Sequence, residues 1–250
     1  MIFISETNLG YDALPFFDGY TLIADSNVKV CSFGGIAWYV KDGLAKHVFR
    51  VQYNQAYISF RLDFAPEYVF IGVYIQPEGG RYFSVNMFAD IGTCLMECSE
   101  SGLTPFVGGD LNCRPGDLRQ LGNGNMWAYT ENNDKTTNKH GRTHFRDLCS
   151  TGNVKPVNGM KYHGMVCDND FTFIRSNGKS QIDYCLTNSN GRTKIKKFSI
   201  VSNDWHLSDH RPISLEIGIE SNPDLSGLLA CCGSQLRTQP CCRGNSTIPR

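Results

Sequence analysis

The sequence predicts an α/β fold of four layers, two mixed β-sheets packed face to face with helices outside. Two observations predict it. Ten short runs have strand character while only two segments have helical spacing, and chains with that balance build stacked sheets. The length of 250 residues, 41% hydrophobic and 19% charged, suits one domain of this kind and is too apolar for a disordered chain.

Taken in order, the strand-like runs are MIFIS, GGIAWYV, AKHVFRV, YISFRLD, YVFIGVYI, TPFVGG, FTFIR, SQIDYCLT, KFSIV and PISLEIGI. Several alternate apolar and polar residues, as half-buried strands do. One helix is predicted at 82–100, where Met87, Phe88, Ile91, Leu95 and Cys98 recur at spacings of three and four and define one buried face. A second, shorter helix is predicted at 142–151. Residues 117–141 and 152–170 are rich in Gly and Asn and read as loops. Beyond residue 219 the periodicity stops, so the chain divides into a domain at 1–219 and a tail or linker at 220–250.

No apolar segment approaches the roughly 18–20 residues that a membrane span needs, and the N-terminus lacks the pattern of a signal peptide. The expected location is intracellular, cytoplasmic or nuclear, with no membrane partner. The 11 cysteines are an odd number, expected to be reduced and mostly buried. Net charge is zero but unevenly spread: residues 135–200 hold 12 Lys or Arg against 4 acids, a net of +8. A basic sector that also carries Tyr162, His163, Phe171 and Phe173 suits either a solvated face or a phosphate backbone.

Polar residues close one apolar run after another. Glu6 follows MIFIS, and Tyr74 closes YVFIGVY. Asp110 and Asn112 follow TPFVGG, where strand alternation puts them on one face. Asp183 lies among apolar neighbours in SQIDYCLT, and Asp209 and His210 precede the last strand. Any one of these suits a turn. The whole series is harder to explain so.

Together they resemble the endonuclease/exonuclease/phosphatase superfamily, over residues 1 to about 219. The matching motifs are Glu6-Thr7, Gly34-Gly35-Ile36-Ala37, Gly109-Asp110-Leu111-Asn112, Ser180-Gln181-Ile182-Asp183-Tyr184 and Ser208-Asp209-His210-Arg211-Pro212. Asn138 to Arg142 (Asn-x-x-Gly-Arg) and the FTF at 171–173 look most like the endonuclease domains of LINE-type, non-LTR retrotransposons. The resemblance implies a DNase-like sandwich and a phosphodiester hydrolase dependent on Mg²⁺, or Mn²⁺ in its place. It implies Glu6 and Asp209 as metal ligands, and Asp110, Asn112, Asp183, His210 and Tyr74 as catalytic residues. Arg142, Thr172, Arg175, Ser180 and Ser208 are implied in substrate binding. The implied partner is DNA, with a reverse transcriptase domain on a longer parent chain. The chemistry agrees: hard Mg²⁺ takes oxygen ligands, and a carboxylate beside a histidine fixes its tautomer and raises its pKa. Two other functions fit the same residues, a phosphatase or lipid phosphodiesterase of this fold and a catalytically weak nucleic-acid-binding remnant. One departure stands out. The family places a strand and a helix ahead of the Glu6 strand, and here the chain starts inside that strand, so low stability and weak activity are expected.

Overall fold

The computed structural model describes residues 1–7, 14–25, 35–80, 83–121, 128–201 and 208–219. The predicted tail at 220–250, Trp127, Trp205 and His206 lie outside the described residues.

The chain begins with β1 (Ile2–Ser5), β2 (Tyr20–Asp25) and β3 (Ile36–Lys41), then the short α1 (Asp42–Ala45). β4 (Val48–Tyr53), β5 (Tyr57–Leu62) and β6 (Ala65–Tyr74) follow as a meander, and α2 (Asn86–Glu100) carries the chain to β7 (Thr104–Asp110). Short pieces come next: β8 (Ala128–Tyr129), a π-helical turn at His140–Phe145 running into α3 (Arg146–Thr151), β9 (Lys155–Pro156), β10 (Met160–Tyr162) and β11 (Met165–Val166). The hairpin β12 (Phe173–Arg175) and β13 (Gly178–Ser180) precedes β14 (Asp183–Thr187), α4 (Ser189–Lys194), β15 (Ile195–Ile200) and β16 (Ile213–Ile217).

All ten predicted runs contain a strand. The helix predicted at 82–100 begins at Asn86, where the Ser84 hydroxyl accepts the Asn86 N–H at 3.2 Å. The segment predicted as a helix at 142–151 starts with the π-helical turn two residues earlier. β2 carried no clear signal because each of its residues is exposed or half-buried, so no apolar run marks it.

One layer is a six-stranded sheet in the order β4-β5-β6-β7-β14-β9, antiparallel except for the parallel β6–β7 pair that α2 connects. The other layer comprises the sheet β1-β3-β2 and the ribbon β15-β16. Register brings Phe60, Phe70 and Phe106 side by side on β5, β6 and β7. Phe70 stacks between the other two at 5.4 and 6.1 Å, and Trp38 of β3 meets Phe60 edge-on at 5.2 Å. This aromatic row is the interior of the sandwich. α2 covers the outer face through Met87, Phe88, Ile91 and Leu95, the face predicted from its spacing. Gly72 and Gly109 admit the rings of the second layer: a Cβ on Gly72 would strike Phe3 and Trp38, and one on Gly109 would strike Phe3 and the Val73 carbonyl. Cys94, Cys98, Cys113, Cys149, Cys167 and Cys185 are free thiols, all buried.

The register also decides where the polar strand ends meet. Tyr74 of β6 sits opposite Asp110 of β7, and Asp110 sits opposite Asp183 of β14. Three polar residues from distant parts of the sequence therefore form one row at one end of the sheet.

Candidate active site

Glu6 leaves β1 at that same end, with a φ of 52° that turns its side chain out of the strand direction. The Tyr74 hydroxyl donates to the Glu6 carboxylate at 2.6 Å. Burial, then this bond, raises the Tyr74 pKa, so the phenol keeps its proton and works as a donor. Asp110 is almost fully buried at 1% exposure. Burial pushes its carboxyl well above the usual range, and the neighbouring charge of Asp183 adds to that.

Asn112 meets Asp110 by a different route from strand alternation. Asp110 ends β7, and Asn112 has a φ of 48°, so the chain turns back at this point. The Asn112 backbone N–H donates to Asp110 Oδ1 at 2.8 Å, and its side-chain amide donates to Asp110 Oδ2 at 2.9 Å and to the Ile75 carbonyl at 2.8 Å. Both hydrogens of that amide are engaged. Asn112 is placed to hold Asp110.

Asp183 begins β14, and His210 Nδ1 lies 3.0 and 3.2 Å from its two carboxylate oxygens. With Nδ1 turned to Asp183, Nε2 is left as the ring nitrogen for a substrate. Burial works against a charged imidazole, but the hydrogen bond and charge of Asp183, with Asp110 and Glu6 adding, lift His210 to about 9. The ring is held edge-on by Phe173 at 5.0 Å. Backbone bonds from Ile174 to the Asp209 carbonyl (2.8 Å) and from Arg211 to the Thr172 carbonyl (2.6 Å) dock the His210 segment against β12.

The structure gathers Glu6, Tyr74, Asp110, Asn112, Asp183 and His210 in one cluster. Asp209 points elsewhere: its carboxylate pairs with Arg175 at 2.6 Å, on the exposed side of β12. Thr172 is fully buried, and its hydroxyl accepts the backbone N–H groups of Ile182 and Asp183 at 3.1 Å each. It positions the start of β14. Ser180 is buried opposite Phe173, while the Ser208 hydroxyl accepts the His210 N–H at 3.1 Å. Arg142 is exposed on the π-helical turn.

Two supporting groups have no counterpart among the predicted site residues. Asp134, 3% exposed, accepts a two-pronged bond from Arg114 at 2.8 Å on each side and the N–H of Gln181 at 3.0 Å. Asn138 donates to the Asn112 carbonyl at 2.8 Å and accepts from Arg114 and Gly141. Asn138 opens the Asn-x-x-Gly-Arg motif, which was its one signal. Asp134 had none, because its partners lie 20 and 47 residues away.

Asp110, Asp183 and His210 each offer a ligand atom, all within 4.8 Å of one another. With Glu6 close enough to act on Asp110 and His210, three carboxylates crowd one imidazole. That crowding adds to the effect of burial on Asp110, and a divalent cation would relieve it. The donors are mostly carboxylate oxygen, which suits a hard cation.

A row of polar residues thus lies at one end of a two-sheet sandwich, closed by the Asp183–His210 pair. The fold is that of the DNase-like AP endonucleases and exonuclease/phosphatases. A 3′ phosphatase from Neisseria, solved with a product DNA hairpin, is similar at a TM-score of 0.62 and 15% identity, covering 87% of this chain and 88% of its own. The catalytic domain of Xenopus laevis APE2 is similar at 0.60 and 14%, covering 86% and 82%. The endonuclease domain of TRAS1, a telomere-specific non-LTR retrotransposon, is similar at 0.52 and 14%, covering 82% and 83%. No family model and no curated protein matches the sequence.

Proposed function

We propose that the chain is a divalent-metal-dependent phosphodiester hydrolase acting on DNA, an endonuclease that nicks target DNA for a retrotransposon. The observation that carries this reading is the convergence of Glu6, Asp110, Asp183 and His210 at the end of one sheet, with Tyr74 and Asn112 holding two of the carboxylates in place. A phosphodiester hydrolase needs a metal ligand, a group that handles the proton of the attacking water, and positive charge facing the phosphate. The cluster holds residue types for all three.

In this reading Glu6 holds Mg²⁺, or Mn²⁺ in its place, with the Tyr74 phenol fixing its carboxylate. Asp209, the second ligand in this reading, would have to leave its ion pair with Arg175 to reach the metal. When bound, the metal polarises a phosphoryl oxygen. Asp110, raised by burial, orients the attacking water and takes its proton, since a carboxylate of raised pKa is a better base near neutral pH. Asn112 keeps Asp110 in position. Asp183 holds His210 as imidazolium, whose Nε2–H faces the scissile phosphate.

DNA as substrate is supported by the +8 sector at 135–200 and by the DNA hairpin in the Neisseria neighbour. The retrotransposon role is supported by the Asn138–Arg142 motif and by the TRAS1 neighbour, and a reverse transcriptase would then follow on a longer parent chain. The phosphatase reading draws on the 3′ phosphatase among the neighbours. Incubation with supercoiled plasmid separates the two. Nicking that requires Mg²⁺ and stops with EDTA supports the endonuclease, whereas release of phosphate from a soluble ester with intact plasmid supports the phosphatase.

A further inference from the structure

Two of the clustered carboxylates sit where a strand ladder ends. β7 and β14 pair from Phe106–Thr187 to Asp110–Asp183, and one further bond, from the Leu111 N–H to the Ile182 carbonyl at 3.1 Å, closes the ladder. β7 stops there, and the chain turns back at Asn112. The end of a ladder opens more readily than its middle. This end also carries like charges: after burial, the charge of Asp183 is what raises the Asp110 carboxyl, with Glu6 adding. Without a cation, the functional groups themselves push this end of the sheet apart.

Beyond the ladder, a third segment ties the two strands together. Asp134 is buried, and each of its oxygens accepts two hydrogen bonds. Oδ1 accepts from Arg114 Nη2 at 2.8 Å and from the Thr136 N–H at 3.0 Å. Oδ2 accepts from Arg114 Nε at 2.8 Å and from the Gln181 N–H at 3.0 Å. Arg114 follows Asp110 by four residues, and Gln181 precedes Asp183 by two, so one carboxylate bridges both strands of the site. The segment around Asp134 is anchored in turn. Asn132 accepts the Asp134 N–H at 3.1 Å and donates to the Gly116 carbonyl at 2.7 Å. Asn138 accepts the Arg114 N–H at 2.9 Å and donates to the Asn112 carbonyl at 2.8 Å. A buried carboxylate with four donors, two of them from one guanidinium fork, is fixed in place.

We propose that Arg114 and Asp134 form a strut across the open end of the β7–β14 ladder, and that this strut sets the spacing of Asp110 and Asp183 for a divalent cation. Both are positioning residues. The proposal rests on the reading of the cluster as a metal site.

Arg114→Lys tests it, because lysine keeps the charge and loses the fork, so a change reports position and not the local field. In the metal-free chain, hydrogen exchange is expected to quicken about tenfold at the Leu111 and Asn112 amides, neither of which bonds Asp134, while Phe70 and Ile71 in the middle of the sheet keep their rates. Mn²⁺ affinity, measured by calorimetry without DNA, is expected to fall about 10–100-fold. Asp134→Asn keeps an oxygen for the Gln181 N–H but leaves Arg114 without its partner charge, and larger changes in the same directions are expected. Unchanged exchange at Leu111 and Asn112 in both variants overturns the proposal. So does acceleration that includes Phe70 and Ile71 equally, which makes the pair a prop of overall stability alone, or Mn²⁺ affinity that Arg114→Lys leaves unchanged. An unaltered chain that binds no Mn²⁺ overturns the metal reading of the cluster instead, and the exchange rates at Leu111 and Asn112 then decide the strut by themselves.

Discussion

His210 carries the sharpest electrostatic consequence of the site. Its pKa of about 9 exists because Asp183 bonds Nδ1 and outweighs the cost of burial. Asp183→Asn removes that charge, so NMR titration of His210 should show a clear fall, and an unchanged value would mean the pair does not govern the imidazole. The same shift governs stability. The folded pKa lies above the unfolded one, so the contribution is fully present below about pH 6.5 and is lost as pH rises through about 9. Nicking should follow the same descending limb if imidazolium faces the phosphate, and Asp183→Asn should move that limb to lower pH.

At the scale of elements, β1 and β7 are locked by Phe3 lying over Gly109. Gly109 has a φ of 142° and no room for a Cβ against Val73 and Phe3. Gly109→Ala should destabilise the domain by about 1–3 kcal/mol through overpacking alone, with backbone strain added. Denaturant unfolding measures it, and a variant of unchanged midpoint would contradict the packing described. The strands and α2 were legible in the sequence because burial imposes a period on them: Met87, Phe88, Ile91 and Leu95 mark α2, and apolar runs mark β5 to β7. β2 was not, since a half-exposed edge strand imposes no such pattern. The site was legible where a polar residue ended an apolar run, as at Glu6 and Asp110, or interrupted one, as at Asp183. It was illegible where a loop made the contact. The turn at Asn112, the Asp134–Arg114 pair and the bond of Arg175 to Asp209 all depend on loop paths that no period records.

For the whole molecule, the uneven charge is the property that bears on substrate. If the +8 sector meets a phosphate backbone, DNA affinity should fall steeply with salt, and removing Arg142 should flatten the slope of log affinity against log salt by about one unit. Affinity indifferent to salt would place that sector away from DNA.

In the proposed function the carboxylate cluster holds a metal and cuts phosphodiesters. Nicking of supercoiled plasmid by the chain and by Glu6→Gln, both in Mg²⁺ and both shown to be folded by melting, tests it most directly. Glutamine keeps the shape of Glu6 and its partner Tyr74 but removes the ligand charge. The variant should nick at least about 10²-fold more slowly, a few kcal/mol of transition-state stabilisation, while EDTA abolishes nicking by both. Equal rates for the two proteins, or nicking that survives EDTA, would rule out Glu6 as a ligand of a catalytic metal.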